Sequence, residues 1–307
     1  MNPLRGIALK ILSVTVFTLM AICIKAVAVA APPGQAVFFR SVFAIPVILA
    51  WLAWNGRLGS GLDVVNPMGH VWRGVVGTTA MGLGFTALGL LPLPEVTALG
   101  YAAPLLTVIF AAMFLGEEVR VFRLGAVALG LAGVMIVLAP RLTVLDVDAA
   151  SKLQTIGAMA ALLGAVFAAL AQVFVRKLVH SEQTSAIVFY FSLTAALLSL
   201  ATLPFGWAWP TAGEAGLLVA AGLLGGVGQI LLTESYRHAE TSVIAPFEYV
   251  SMVLALAFGY LIFAETPTAS MLGGAALIVA AGLFIIWREH RLGIERAKAR
   301  RVITPQG

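Results

Sequence analysis

The chain is 307 residues long, 61% hydrophobic and 11% charged, with a mean hydropathy of +1.01. A soluble domain carries roughly 45–50% apolar and about 25% charged residues, which excludes that class. The net charge of +5 reports topology in such a chain rather than affinity for a polynucleotide, so no nucleic-acid partner is expected.

A membrane-spanning helix takes about 20 residues. Apolar runs at residues 7–30, 36–54, 72–91, 94–115, 122–139, 154–175, 184–204, 214–236, 241–263 and 270–287 predict ten such helices. Turn formers mark the breaks, as in Pro32-Pro33-Gly34, Asn55-Gly56, Pro92-Leu93-Pro94 and the stretch from Gly206 to Pro210. Strands have little support, because barrel strands read as alternating segments of about 10 residues. The expected class is an all-α integral membrane protein. The first run ends in Ala26-Val27-Ala28-Val29-Ala30 and imitates a signal cleavage site. Removing it would leave nine spans and break the repeat described below, so it is read as helix 1.

Lys and Arg collect on the cytoplasmic side of short loops. With the N-terminus inside, 15 of 19 fall on that side, including Lys10, Arg57, Arg73, Arg237 and the tail from Arg288 to Arg301. Both termini are expected in the cytoplasm, with the protein in the inner membrane and the basic tail, 291–307, against anionic lipid. Cys23 is the lone cysteine, so no intrachain disulfide forms. His70, His180, His238 and His290 are not spaced as a ligand pair. Neither a metal nor a cofactor is expected, and a lipid-modifying enzyme is disfavoured because it would need clustered carboxylates or histidines.

A shift of 148 residues pairs Tyr101 with Tyr249, Glu117 with Glu265, Leu124 with Leu272 and Gly125 with Gly273. A shift of 151 pairs Lys25 with Arg176, Ser41 with Ser192 and Ala44 with Ala195. The chain therefore reads as a five-helix repeat at 1–150 and a second at 151–290. An odd number of helices per repeat inverts the second in the membrane, with a binding site and central cavity expected at their interface.

Leu115-Gly116-Glu117, Leu124-Gly125-Ala126, Ala245-Pro246-Phe247-Glu248-Tyr249, Phe263-Ala264-Glu265-Thr266-Pro267 and Leu272-Gly273-Gly274 resemble the EamA family of the drug/metabolite transporter superfamily, and among its members the YddG-type amino-acid exporters. The resemblance spans all ten helices. It implies two repeats and export of amino acids or other metabolites, with cofactor uptake in some branches. The chain departs from the pattern in one place: Pro104 has Met252 as its repeat mate, and the proline of helix 9 lies earlier, at Pro246. Equal bends in the two halves are therefore not expected.

Ionisable groups inside a span are candidates for function. Lys25 lies near the outer end of helix 1 and either snorkels to the interface or meets substrate. Arg40, at the start of helix 2, suits a substrate carboxylate through its planar donor fork or anchors at the interface. Glu248 is deep in helix 9, where it receives an amine, carries a proton, or pairs with Lys25 or Arg40. Tyr101 and Tyr249 offer matched hydroxyls from helices 4 and 9, and either line a cavity or pack locally. Thr97 shares a face with Tyr101, and Gln229 with Thr233 on helix 8. Met81 on helix 3 is the repeat mate of Gln229. Pro104 and Pro246 free the carbonyls of Gly100 and Ser242 and read as hinges. The glycines of helices 3, 5 and 8 read as close-packing positions. Glu117, Glu118 and Glu265 sit at helix ends, where water reaches them, as structural or gate elements.

The resulting expectation is a monomeric secondary transporter that exports small metabolites, amino acids first, by alternating access. Uptake of a cofactor-like solute, flavin or nucleoside in type, is the main alternative, and export of lipophilic cations is another. No phosphate loop is present for direct ATP drive.

Overall fold

The computed structural model describes residues 3–115, 121–142, 149–179, 181–239 and 244–303. Its apolar runs are helical because a chain in hydrocarbon satisfies its backbone groups only within a helix or a closed barrel. In chain order the helices are α1 (Pro3–Val27), α2 (Pro33–Val42), α3 (Ala44–Trp54), α4 (Pro67–Leu90), α5 (Leu93–Gly100) and α6 (Ala102–Leu115). They continue as α7 (Val121–Leu142), α8 (Ala149–Leu178), α9 (Thr184–Leu200), α10 (Ala212–His238), α11 (Val250–Phe263) and α12 (Ala269–Ile303), with a 3₁₀ turn at Ala245–Tyr249 before α11. Local chemistry fixes several starts: the Asn66 side chain accepts from the Gly69 amide ahead of α4, and Thr211 and Glu214 form a capping box at α10.

Among the described residues these helices make ten transmembrane segments. The α2–α3 pair is one segment interrupted at Phe43, α5–α6 is one interrupted at Tyr101, and the Ala245–Tyr249 turn leads directly into α11. Six stretches are long and apolar enough to cross a membrane: Leu4–Val27, Pro33–Trp54, Leu93–Phe110, Ser151–Leu178, Ala212–His238 and Ala269–Arg288. Leu124–Pro140, Thr184–Leu200 and Phe247–Phe263 are shorter apolar helices, and α4 is long but diluted by glycine and threonine.

The packing maps onto itself when the two halves are exchanged. The α1 helix lies along α10, and their mates α8 and α4 lie along one another, while α2 on α9 and α7 on α12 are their own counterparts. The correspondence extends to single residues. The Ser13 hydroxyl donates to the Gly228 carbonyl at 2.9 Å, and its mate Gly164 lies on the Ala80 carbonyl, 3.4 Å from where a Cβ would stand. Gly222 has no room for a side chain because the Phe43 Cβ is 2.4 Å from that position, and its mate Gly74 is blocked by Thr194, the mate of Phe43, at 2.5 Å. Small residues thus set the helix spacing at both crossings.

The end at which α1 begins, expected to be cytoplasmic, is called here the near end. There the Glu182 carboxylate accepts from the amides of Val65 (2.9 Å) and Asn66 (2.6 Å). Burial pushes this carboxyl up, but the amides of Asn66 and Val65, with His70, outweigh it and hold the group below the usual carboxylate range. At the far end the Gln35 amide exchanges two hydrogen bonds with the Ala208 backbone. Glu117, Glu118, His180 and Ser242 lie outside the described residues.

Candidate functional site

Three segments break where a proline withholds an amide. Pro46 and Pro104 each stand three residues after an interruption, at Phe43 and Tyr101, because the ring cannot donate to the carbonyl four residues back. In the second half Pro246 lies in the 3₁₀ turn, and the α-helix resumes just after Tyr249. The backbone therefore changes geometry at Tyr101 and at its mate Tyr249, although the prolines are out of register. The bends are built differently, as the mismatch at Met252 predicts, but they fall at the same height.

The two tyrosine rings meet edge to face with centroids 5.1 Å apart. Ser251 donates to the Glu248 carbonyl at 2.6 Å, which leaves its oxygen to accept from the Tyr101 hydroxyl, also at 2.6 Å. The Tyr249 hydroxyl lies directly on Gly282 of α12. Ser251 and Gly282 were not singled out from the sequence. Ser251, three residues past Glu248, shares its helical face, which is the signal that would have found it.

Glu248 does form an ion pair, though with neither Lys25 nor Arg40. Its partner is Lys10, a buried residue two turns inside α1. Lys10 was expected in the basic set of the near end. The fold instead turns it inward, where its ammonium also lies 5.8 Å from the Tyr236 ring centroid. The Glu248 side chain stays 41% exposed, so this pair is open to solvent or solute from one side.

Lys25 is not free to snorkel. Its ammonium lies 2.9 Å from Glu265 and donates to the carbonyls of Leu88 (3.1 Å) and Leu91 (2.6 Å). Glu265 in turn accepts from the Leu93 amide at 2.8 Å. Contrary to its expected place in water at a helix end, Glu265 is largely buried and ties the far ends of both halves together.

Arg40 is 2% exposed, and the Nε and Nη1 donors of its guanidinium have no partner; Nη2 reaches the Gly225 carbonyl at 3.4 Å. Its guanidinium carbon is 5.4 Å from the centroid of Phe191. Arg73, expected in the basic set of the near end like Lys10, is inside α4 and buried, 4.0 Å from the same centroid. Of the remaining candidates, Gln229 is half-buried on α10 and the two threonines are satisfied locally. Thr97 and Thr233 donate to the carbonyls of Leu93 and Gln229 one turn back, and Met81 packs against the apolar core. The fold thus brings together Tyr101, Tyr249 and Glu248. Arg40 sits apart among α2, α4, α9 and α10, and Lys25 belongs to the far-end clasp. Among the described residues no group of three or more His, Cys, Asp or Glu is placed to hold a metal.

Residues 4–139 and 155–287 match the profile of the EamA-like transporter family. The chain is 30% identical over 277 residues to the pseudopaline exporter CntI of Pseudomonas aeruginosa (strain UCBPP-PA14), covering 90% of this chain and 94% of that protein. It is 27% identical over 257 residues to an S-adenosylmethionine uptake transporter of Rickettsia bellii, covering 84% of each. It is 30% identical over 290 residues to a riboflavin transporter of Rhizobium johnstonii, covering 94% and 90%. A solved crystal structure with 23% identity superposes at a TM-score of 0.67 over 94% of this chain and 98% of the other, and so shares the fold.

Proposed function

Because the chain belongs to the EamA-like transporter family, we propose that it exports small metabolites, amino acids foremost, across the inner membrane by alternating access. Transport of a small molecule across a bilayer follows from the family. The substrate class, direction and mechanism are our reading.

The observation that carries it is the Lys10–Glu248 pair. A free amino acid presents one ammonium and one carboxylate, and a lysine and a glutamate held against each other are its complement. The pair stands in the broken part of the segment that ends at Tyr249, with the Glu248 side chain 41% exposed. A zwitterion entering there exchanges one ion pair for two charge-assisted contacts, which limits the desolvation penalty of binding inside the membrane. The exchange symmetry of the packing supports residues 1–150 and 151–290 as repeats that are inverted in the membrane. The matched interruptions at Tyr101 and Tyr249 then give each half a bend about which one gate opens while the other closes.

Purified protein in liposomes, tested with a panel of labelled amino acids with and without a pH gradient, checks this reading. Saturable flux of amino acids that falls at least tenfold in Glu248→Ala is expected, with preferential movement outward in cells. Flux confined to flavin-like or nucleoside-like solutes would overturn it in favour of cofactor uptake. That second reading draws on two of the relatives and on the paired tyrosine rings, which suit a flat solute.

A further inference from the structure

Arg40 and Arg73 pose a question that a neutral amino acid does not answer. Both are buried, at 2% and 8% exposure, in segments that cross the membrane, and neither meets a carboxylate among the described residues. In each, Nε and Nη1 lack a hydrogen-bond partner. An intramembrane charge left in this state is costly unless something supplies the missing acceptors.

The fold accommodates these two groups in a specific way. Gly77 and Gly225 are repeat mates at the 148 shift, and each clears space for one arginine. A Cβ on Gly77 would stand 1.9 Å from Nη1 of Arg73, and one on Gly225 would stand 2.7 Å from Nε of Arg40. Arg40 is itself the mate of Phe191 at the 151 shift, and the two are in contact. The cluster therefore lies where the halves exchange. Phe191 offers both cations its ring, but a ring satisfies none of the in-plane N–H donors of a guanidinium. Ser41 and Ser192, one residue along from Arg40 and Phe191, add two buried hydroxyls without partners at the same height.

The surroundings fit a closed transport path. A cleft of about 260 Å³ opens at the near end among Trp51, Asn55, Arg57, Gln183, Glu234 and Arg237. Leu52 lines this cleft and packs with Ile48, Val188 and Ile230 into an apolar cluster on α3, α9 and α10 that floors it. The next turn of α9 carries Phe191. At the far end a cleft of about 190 Å³ reaches Ala36, one turn before Arg40 on α2.

We propose that Arg40 and Arg73 form an oxyanion subsite of the transport path, and that the preferred solutes are acidic, carrying at least one carboxylate more than a neutral amino acid. This rests on the reading of the protein as an exporter of amino-acid-like metabolites. The Lys10–Glu248 pair receives the zwitterionic end, and the arginine pair receives the additional anionic group through donors that no protein atom uses.

The test uses full-length protein in detergent and in liposomes, with L-glutamate, L-aspartate and citrate against L-leucine, and potassium chloride at matched ionic strength. Thermal unfolding is expected to rise with the acidic probes and not with leucine or chloride. Arg40→Gln and Arg73→Gln are each expected to abolish that response while melting at or above the wild-type temperature without ligand. In flux assays KM for glutamate should rise at least tenfold in each variant, with KM for leucine changed less than threefold. A thermal response equal for chloride and glutamate, or an acidic-probe response retained in both variants, overturns the subsite. If leucine is carried well and acidic probes neither bind nor compete, the exporter reading stands and the subsite falls. Acidic probes that bind through the arginines with no amino acid transported would instead sustain the subsite and overturn the exporter reading.

Discussion

The ammonium of Lys25 lies 2.9 Å from a carboxylate oxygen of Glu265, and the two residues belong to opposite halves of the chain. Glu265 also holds the Leu93 amide, and Lys25 also holds the carbonyls of Leu88 and Leu91, so one ion pair fastens the ends of α1, α4 and α11 and the start of α5. Both side chains are largely buried, so solvent screens the pair weakly. Glu265→Gln is expected to destabilise the protein by about 1–3 kcal/mol, since it leaves Lys25 charged with carbonyl acceptors only. Lys25→Met should cost at least as much, because it leaves the carboxylate with an amide donor alone. Melting of the detergent-solubilised variants reads this directly, and unchanged midpoints would show that the clasp contributes nothing.

The Lys10–Glu248 pair calls for a double-mutant cycle. Lys10→Met alone strands a carboxylate, and Glu248→Leu alone strands a buried ammonium, so each single change is expected to lower both stability and transport. The double variant should be more stable than the less stable single one, with a coupling of about 1–3 kcal/mol, moderated by the exposure of Glu248. Transport should stay low in the double variant, because restoring packing does not restore the charges that receive a zwitterion. Additive effects on stability would mean that the two groups do not interact.

Two glycine substitutions separate helix crossings from open helix faces. Gly222→Ala places a methyl 2.4 Å from the Phe43 Cβ and 2.8 Å from the Phe39 carbonyl, neither of which can swing away. It should destabilise by about 1–3 kcal/mol through overpacking. Gly125→Ala meets nothing within 4 Å and should be neutral or stabilising by up to about 1 kcal/mol, through helix propensity. Parallel melting curves decide between these outcomes, and equal effects would contradict the crossing described for α2 and α10.

Glu182 predicts an acid-labile near end. A carboxyl held below its ordinary value contributes stability above the unfolded value, near ~4.3, and loses it as pH falls through the lower folded value. The midpoint of unfolding should therefore drop from pH 5 downward, as the hold on Val65, Asn66 and His70 is released. Glu182→Gln should already melt lower at pH 7 and show a flatter response to acid. An identical acid response in the variant would assign the lability elsewhere.

Hydropathy alone determined the ten segments, because spanning length and the demand for internal backbone hydrogen bonding leave no other solution for such runs. Self-comparison pairs Tyr101 with Tyr249 but leaves open whether they line a cavity or pack locally; the tertiary structure brings their rings to 5.1 Å. Of the glycines read as close-packing positions, Gly74, Gly77, Gly222 and Gly225 stand at crowded crossings, whereas Gly82, Gly84 and Gly125 meet nothing within 4 Å, a difference that depends on helix rotation. The partners of the buried charges were not legible. Lys10 and Arg73 lie seven and six residues past the starts of their helices, and a one-dimensional count assigns such residues to the nearer side of the membrane without saying which way they face. Which way each turns depends on helix rotation, and that is set by packing against α10 and α9, far away in sequence. Sequence separation also hid Glu248 from Lys10 and Glu265 from Lys25. A membrane span fixes how many helices the chain has; only their azimuths in the tertiary structure decided which charges pair and that Arg40 and Arg73 keep unused donors.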